Sequence, residues 1–317
     1  MKRKLFLAAT AVAGLPRIAR AASGDVSVAY AGSLVTLMEK SIGAAFAATG
    51  YAYKGEGKGS STLAALIRDG LRTPDVFISA DTAAIESLRG SAGHDAARWY
   101  ATFASTRMQI AYSPKSRFAA DFGAAAAGKL AWYDLLRRPG IKVARTDPAQ
   151  DPKGYRTLLV MELAQAHYKI AGLARAVLGE PRDPEQIIPE EDALVRLETG
   201  DIDAMWAYAT ESASRRLPAV PLPPEIDLGE PRFSADYARA AVTVEGKAYR
   251  GAPIVYALTI PTNAMNPGGG AAFVRFLLGA QGKTLLKRGG LTIVPPAIGG
   301  ARDAVPRDLL PVLRAAA

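Results

Sequence analysis

Past the first two dozen residues, the spacing of apolar and polar positions changes period several times. Asp25-Val26-Ser27-Val28-Ala29-Tyr30 alternates with a period of two and predicts a strand. After Ala31-Gly32-Ser33 the spacing becomes helical from Leu34 to Ala48, with Leu37, Met38, Ile42 and Phe46 on one face. Ala52-Tyr53 reads as a short strand and Gly55 to Ser61 as a glycine-rich loop. Thr62 to Asp69 reads as a helix carrying Leu63, Leu66 and Ile67, and Asp75 to Ala80 as a buried strand. Further strands are predicted at 107–112, 142–145, 203–208 and 253–260. Further helices are predicted at 191–199, from Thr210, at 269–278 and at 281–288. The longest helix runs from Lys153 to about Leu178, with Asp151 at its N-cap and Pro152 at its first position. Strands alternating with helices predict an α/β fold with a mostly parallel sheet.

The 317 residues suggest about two domains, and an apolar content of 49% is enough for two sizeable cores. No solenoid-length repeat and no low-complexity segment interrupts them. The N-terminus has a different character. Met1-Lys2-Arg3-Lys4 is basic, Leu5 to Leu15 is apolar, and Ala19-Arg20-Ala21 offers an A-x-A cleavage site. That is the pattern of a secretory signal peptide, too short to cross a bilayer. Its removal changes the charge picture. The formal net charge is +9, and five of the cations with none of the acids lie in residues 1–21, leaving +4. Such a mild charge gives no argument for nucleic acid.

The chain has no Cys and only two His, His94 and His167. A lipid anchor, a disulfide framework, a thiol nucleophile and a Cys zinc site are therefore not expected. His167 lies in a helical stretch and His94 in the polar Gly93-His94-Asp95 segment. With no G-x-S-x-G elbow, a serine triad is not expected either.

Two segments share a pattern. Ser33 and the Ser60-Ser61 pair each follow a glycine between a strand and a helix. Such a turn presents a hydroxyl and unpaired backbone N–H groups at a helix N-terminus, and the glycine allows close approach. Two such turns at the carboxyl ends of strands could cradle an anion with neutral donors. The plainer reading, that each serine only caps its helix, stays open. Gly55-Glu56-Gly57-Lys58-Gly59 fits neither the P-loop nor the G-x-G-x-x-G dinucleotide pattern.

With these residues in view, the chain resembles the periplasmic molybdate/tungstate-binding proteins of ABC transporters. Ala31-Gly32-Ser33-Leu34, Gly59-Ser60-Ser61 and Pro74-Asp75-Val76-Phe77-Ile78-Ser79-Ala80-Asp81 look like that family's first domain. Thr146-Asp147-Pro148 with Asp151-Pro152-Lys153-Gly154-Tyr155-Arg156 resembles its tungstate-binding branch, as does Leu222 to Gly229; Pro253 to Pro261 also matches the family. The resemblance implies a two-domain periplasmic-binding-protein fold, type II-like. Its interleaved domains would be 23–105 plus 258–317 and 106–257, joined by a two-segment hinge and preceded by a signal peptide at 1–22. It implies a soluble periplasmic monomer, not an enzyme, that has no cofactor and delivers tungstate or molybdate to a permease and its ATPase.

It also implies a site. Ser33 matches the serine of the first loop, and Ser60 or Ser61 that of the second. Lys153 falls where a backbone N–H is used, and Tyr208 matches a ligand-contacting hydroxyl. Asp151 matches a carboxylate that reaches the metal centre. The family's second carboxylate is expected just before the tyrosine, where this chain has Ala207, and Glu211 is the substitute from the next turn. For Asp151 and Glu211 the alternatives are an N-cap and a first-turn acid. Carboxylates facing a dianion repel it at low dielectric. They are productive when they bond a tungsten or molybdenum centre, which expands its coordination as sulfur does not. The competing expectations are a receptor for sulfate or another anion, a ferric-ion receptor using Tyr208 and Glu211, and a periplasmic enzyme using the same cleft.

Overall fold

A computed structural model describes residues 24–314. The expected signal peptide lies outside the described residues. Strands β1 (Asp25–Ala31), β2 (Ala52–Lys58), β3 (Val76–Ser79) and β4 (Trp99–Ser105) come first. The middle of the chain supplies β5 (Met108–Tyr112), β6 (Val143–Ala144), β7 (Ala204–Tyr208) and β8 (Ala219–Pro221). A hairpin of β9 (Ala241–Val244) and β10 (Lys247–Arg250) precedes β11 (Val255–Thr259), β12 (Thr292–Ile293) and β13 (Ile298–Gly300).

These strands form two main sheets. The larger has the order β12-β4-β11-β3-β1-β2 with β13 also on β4, and so draws on both ends of the chain. The smaller, β6-β7-β5-β8, comes only from the middle. The chain passes from one sheet to the other between Ser105 and Met108 and returns between Pro221 and Val255. The passing segments bond each other: Met108 N–H donates to the Asp227 carbonyl at 2.8 Å, and Ile254 N–H to the Leu228 carbonyl at 2.8 Å. The result is an α/β fold of two lobes.

The period-two patterns have a direct outcome. Val26, Val28 and Tyr30 face one core while Ala29 faces another, with Phe77, Leu63 and Ile67. On the smaller sheet Trp206 and Tyr208 face the first core, and Met205 and Ala207 a third beneath Leu194 and Leu197. Both faces of each sheet are covered, as strand–helix alternation requires.

Three expectations need correction. The sheets are not mostly parallel: β1 pairs in parallel with β2 and β3, but β11 pairs antiparallel with β3 and β4, and β5 antiparallel with β7 and β8. Strands that cross between lobes reverse direction, which periodicity does not record. The glycine-rich stretch is largely strand, since Gly55 to Lys58 continue β2 along β1. Glycine is needed there for packing: a Cβ at Gly57 would collide with Val35, and one at Gly55 with the Tyr30 and Tyr53 hydroxyls and Glu39. The long helix also stops early. Pro152–Tyr168 ends on Lys169 in the left-handed conformation, and Leu173–Leu178 is a separate helix after Gly172 at φ +73°. Gly172 makes that break inexpensive.

Candidate functional site

The two Gly-Ser turns face the middle lobe. In the first, β1 leads into a 3₁₀ turn, Gly32–Leu34, and the N-cap is Ala31 rather than Ser33. The buried Ser33 Oγ shares a hydrogen bond with the Tyr256 hydroxyl at 2.8 Å. Tyr256, in β11, places a phenol over the end of the same sheet. In the second turn the N-cap of the Ser60–Arg68 helix is Gly59, again with no side-chain cap. Neither serine caps its own helix, so the plainer reading of both does not hold. Ser60 Oγ instead accepts the Ala80 N–H at 3.1 Å, tying this turn to the end of β3. Ser61 is half-buried and lines a small surface cavity with Arg68, Glu245 and Lys247, away from Ser33.

The facing wall is the N-terminus of the Pro152–Tyr168 helix. Asp151 caps it, its Oδ1 accepting the Lys153 N–H at 2.7 Å and the Thr146 hydroxyl at 3.3 Å. The Lys153 N–H is therefore occupied, and what Lys153 brings to the site is its ammonium. That ammonium is buried 2.5 Å from Glu211 Oε1 and 3.5 Å from Glu190 Oε2. The other Glu211 oxygen accepts the Tyr208 N–H at the start of the helix after β7. Ala207, where the second carboxylate was expected, points to the opposite face of β7 and into the third core. Glu190, first residue of the Glu190–Thr199 helix, is buried with Oε1 lacking any hydrogen-bond partner.

Arg156 lies one helical turn beyond Lys153, and the two share a face. Its Nη1 donates to the Tyr208 hydroxyl and to the Ala80 carbonyl, each at 2.7 Å, and its Nη2 to Asp81 at 3.2 Å. The Tyr208 and Tyr256 rings meet edge to face at 6.5 Å. Both lobes thus contribute to one knot containing Ser33, Asp151, Lys153, Tyr208 and Glu211. Ser60 reaches it through Ala80, and Ser61 stays outside.

The charges in the knot perturb each other. Burial raises the Asp151 carboxyl above its ordinary range, and Lys153 offsets only part of that. Glu190 is raised well above its usual value, chiefly by burial and against the pull of Lys153. Burial alone would favour neutral Lys153, but Glu190, Glu211 and Asp151 together raise it above an ordinary lysine. Burial also lifts Tyr208 and Tyr256 well above a normal phenol, so both keep their protons as donors. Two cations meet four carboxylates, those of Asp81, Asp151, Glu190 and Glu211, with three hydroxyls among them. Such a set can donate several hydrogen bonds to an acceptor and bring carboxylate oxygens beside it.

Sequence reading missed Glu190, Arg156 and Tyr256. Arg156 carried a usable signal, an i, i+3 spacing from Lys153. Glu190 and Tyr256 carried none, because a first-turn acid and a strand tyrosine are ordinary.

The sequence pattern of bacterial extracellular solute-binding proteins matches residues 26–292. The chain is 32% identical over 305 residues to an uncharacterised solute-binding protein of Petrotoga mobilis, covering 93% of this chain and 92% of that one. It is 32% identical over 209 residues, 66% of this chain and 64% of the other, to a Haloferax volcanii protein named as a candidate molybdenum-binding protein of an ABC transporter. The periplasmic molybdate-binding protein of Azotobacter vinelandii superposes with a TM-score of 0.56 at 17% identity, over 84% of this chain and 98% of that chain.

Proposed function

This chain belongs to the bacterial extracellular solute-binding proteins, and from that premise we propose that it captures tungstate or molybdate in the periplasm for an ABC importer. The observation that carries the reading is the buried Glu190 carboxylate. One of its oxygens has no hydrogen-bond partner among the described residues, and it stands beside Lys153 and close enough to Glu211 and Asp151 for their charges to help raise it. An unpaired buried acceptor costs roughly 1–3 kcal/mol unless something binds it. A tetrahedral anion with a coordinatively flexible metal centre can supply that partner, while Tyr208 and one hydroxyl of the hydrogen-bonded Ser33–Tyr256 pair donate to its oxygens. The second metal-facing carboxylate is accordingly assigned to Glu190 beside Asp151. Glu211 is held by Lys153 and the Tyr208 N–H and supports the site from behind. The family supports a binding role over an enzyme in the same cleft. Among the described residues no group of three or more His, Cys, Asp or Glu side chains is arranged to hold a bare metal ion.

The rival is a sulfate-type receptor, and proton linkage separates the two. Glu190 and Asp151 retain protons more readily in the folded protein than in water. If their oxygens must meet a metal centre, binding expels those protons and affinity rises with pH. If they only repel the anion, protonation assists binding and affinity falls as pH rises. Titration calorimetry of tungstate, molybdate and sulfate between about pH 5 and 8, in buffers of different ionisation enthalpy, reads the direction. Proton release with tungstate, reduced in Glu190→Gln, is expected; proton uptake, or equal affinity for sulfate, would sink the metal-centre reading.

A further inference from the structure

Arg156 has no part in the set of ligand contacts proposed above, yet it occupies the junction of everything that makes them. It is 6% exposed. One nitrogen bonds Tyr208 on its own lobe and the Ala80 carbonyl on the other; a second bonds Asp81. Asp81 is itself fixed, since its other oxygen caps the Thr82–Glu86 helix through the Ala83 N–H at 2.6 Å. Ala80 in turn donates to Ser60. A short chain of bonds thus joins the second Gly-Ser turn to Tyr208, through Arg156.

The direction of the Arg156–Tyr208 bond is forced. A guanidinium carries donors only, whereas a phenol both donates and accepts. Tyr208 must therefore accept, and its own proton is left for some other acceptor. Among the described residues that hydroxyl makes no other hydrogen bond. Arginine stays protonated at any working pH, so the orientation does not switch.

We propose that Arg156 is a positioning residue that makes Tyr208 an obligate hydrogen-bond donor to the bound oxyanion. The inference rests on the oxyanion reading. Its chemistry favours ligands whose facing oxygen is an acceptor, such as a fully deprotonated tetrahedral dianion, over one presenting a hydroxyl.

The test is a double-mutant cycle in tungstate affinity near pH 7.5 with the parent, Arg156→Gln, Tyr208→Phe and the double variant. Arg156→Lys is run beside them and thermal melts of the unliganded proteins in parallel. Glutamine can donate or accept, so it no longer dictates the phenol's orientation; lysine, like arginine, only donates. Arg156→Gln and Tyr208→Phe are each expected to weaken binding about ten- to a hundredfold. The double variant should be hardly weaker than the worse single, because both remove the same donated proton. Arg156→Lys should retain more affinity than Arg156→Gln. If Arg156→Gln does not fold, Arg156→Met, which offers Tyr208 no donor at all, takes its place in the same cycle. Multiplying losses, or an Arg156→Gln variant that binds like the parent, would overturn the inference while leaving the ligand reading intact. A parent that melts normally but binds neither tungstate nor molybdate would overturn the ligand reading and the inference together.

Discussion

Gly32-Ser33 and Gly59-Ser60 follow adjacent strands of one sheet and carry the same dipeptide, yet they meet the middle lobe in different ways. A Cβ on Gly32 would stand 2.7 Å from Glu190 Oε2, the far end of a side chain. A Cβ on Gly59 would stand 2.6 Å from the Gln150 carbonyl oxygen and 3.3 Å from Asp151 Oδ2, so it would meet backbone first. Neither glycine is required by its own dihedral angles. Gly59 sits at φ −51°, where any residue is comfortable. Both are required by proximity, and what approaches them is the other lobe. The serines diverge as well. Ser33 turns to Tyr256 inside the site, while Ser60 is spent on the Ala80 N–H. One turn is a ligand-facing element closed by an adjustable carboxylate; the other is a docking point closed by backbone.

That contrast can be broken by substitution, and the largest effect is expected at the docking point. Gly59→Ala cannot be accommodated unless the lobes separate, because a carbonyl fixed in a helix-leading turn has nowhere to go. Tungstate affinity should fall at least about a hundredfold, in the range of a few kcal/mol for overpacking. Small-angle scattering with saturating ligand should show no compaction. A Gly59→Ala protein that binds normally would show the contact to be incidental.

Gly32→Ala should cost less, about tenfold, since Glu190 can swing aside. The loss should shrink when Glu190 is also changed to Ala, measured as the coupling in a calorimetric double-mutant cycle. Independent losses at the two positions would mean that Gly32 matters for something other than the carboxylate.

The serines give the smallest and most discriminating effects. Ser60→Ala strands the Ala80 N–H in a buried position and should lower stability by about 1–3 kcal/mol, read as a shifted denaturation midpoint. Ser33→Ala should act mainly on affinity, by several-fold to tenfold, through the lost hydroxyl. Ser61→Ala should change stability by no more than about 0.5 kcal/mol. If Ser61→Ala lowers affinity as Ser33→Ala does, the two turns are functionally alike after all.

Much of the fold was legible along the chain because burial writes a period into sequence. Val26, Val28 and Tyr30 against Ala29 gave β1 its two faces, and Asp151-Pro152 marked a helix start that the structure places at the same residues. Illegible parts were those set by partners distant in sequence. The antiparallel partner of β4 and β3 is β11, some 150 residues downstream of β4, and nothing local in either strand encodes that pairing. Gly55 and Gly57 read as loop because isolated glycines suggest loops, whereas their role is to let Val35, Tyr30 and Glu39 lie against an edge strand.

The site divides along the same line. The sequence by itself determined which groups can take part: two Gly-Ser turns, a helix opened by Asp151-Pro152-Lys153, a tyrosine ending a strand, and a resemblance linking them in order. Only the tertiary structure decided what each is free to do. It committed Ser60 to Ala80, Glu211 to its own helix and Lys153, and the Lys153 N–H to Asp151, and it left Glu190 with an oxygen unpaired. The physical reason is that a polar side chain carries a fixed number of donors and acceptors. Which remain available for a ligand depends on neighbours that folding brings in from elsewhere in the chain.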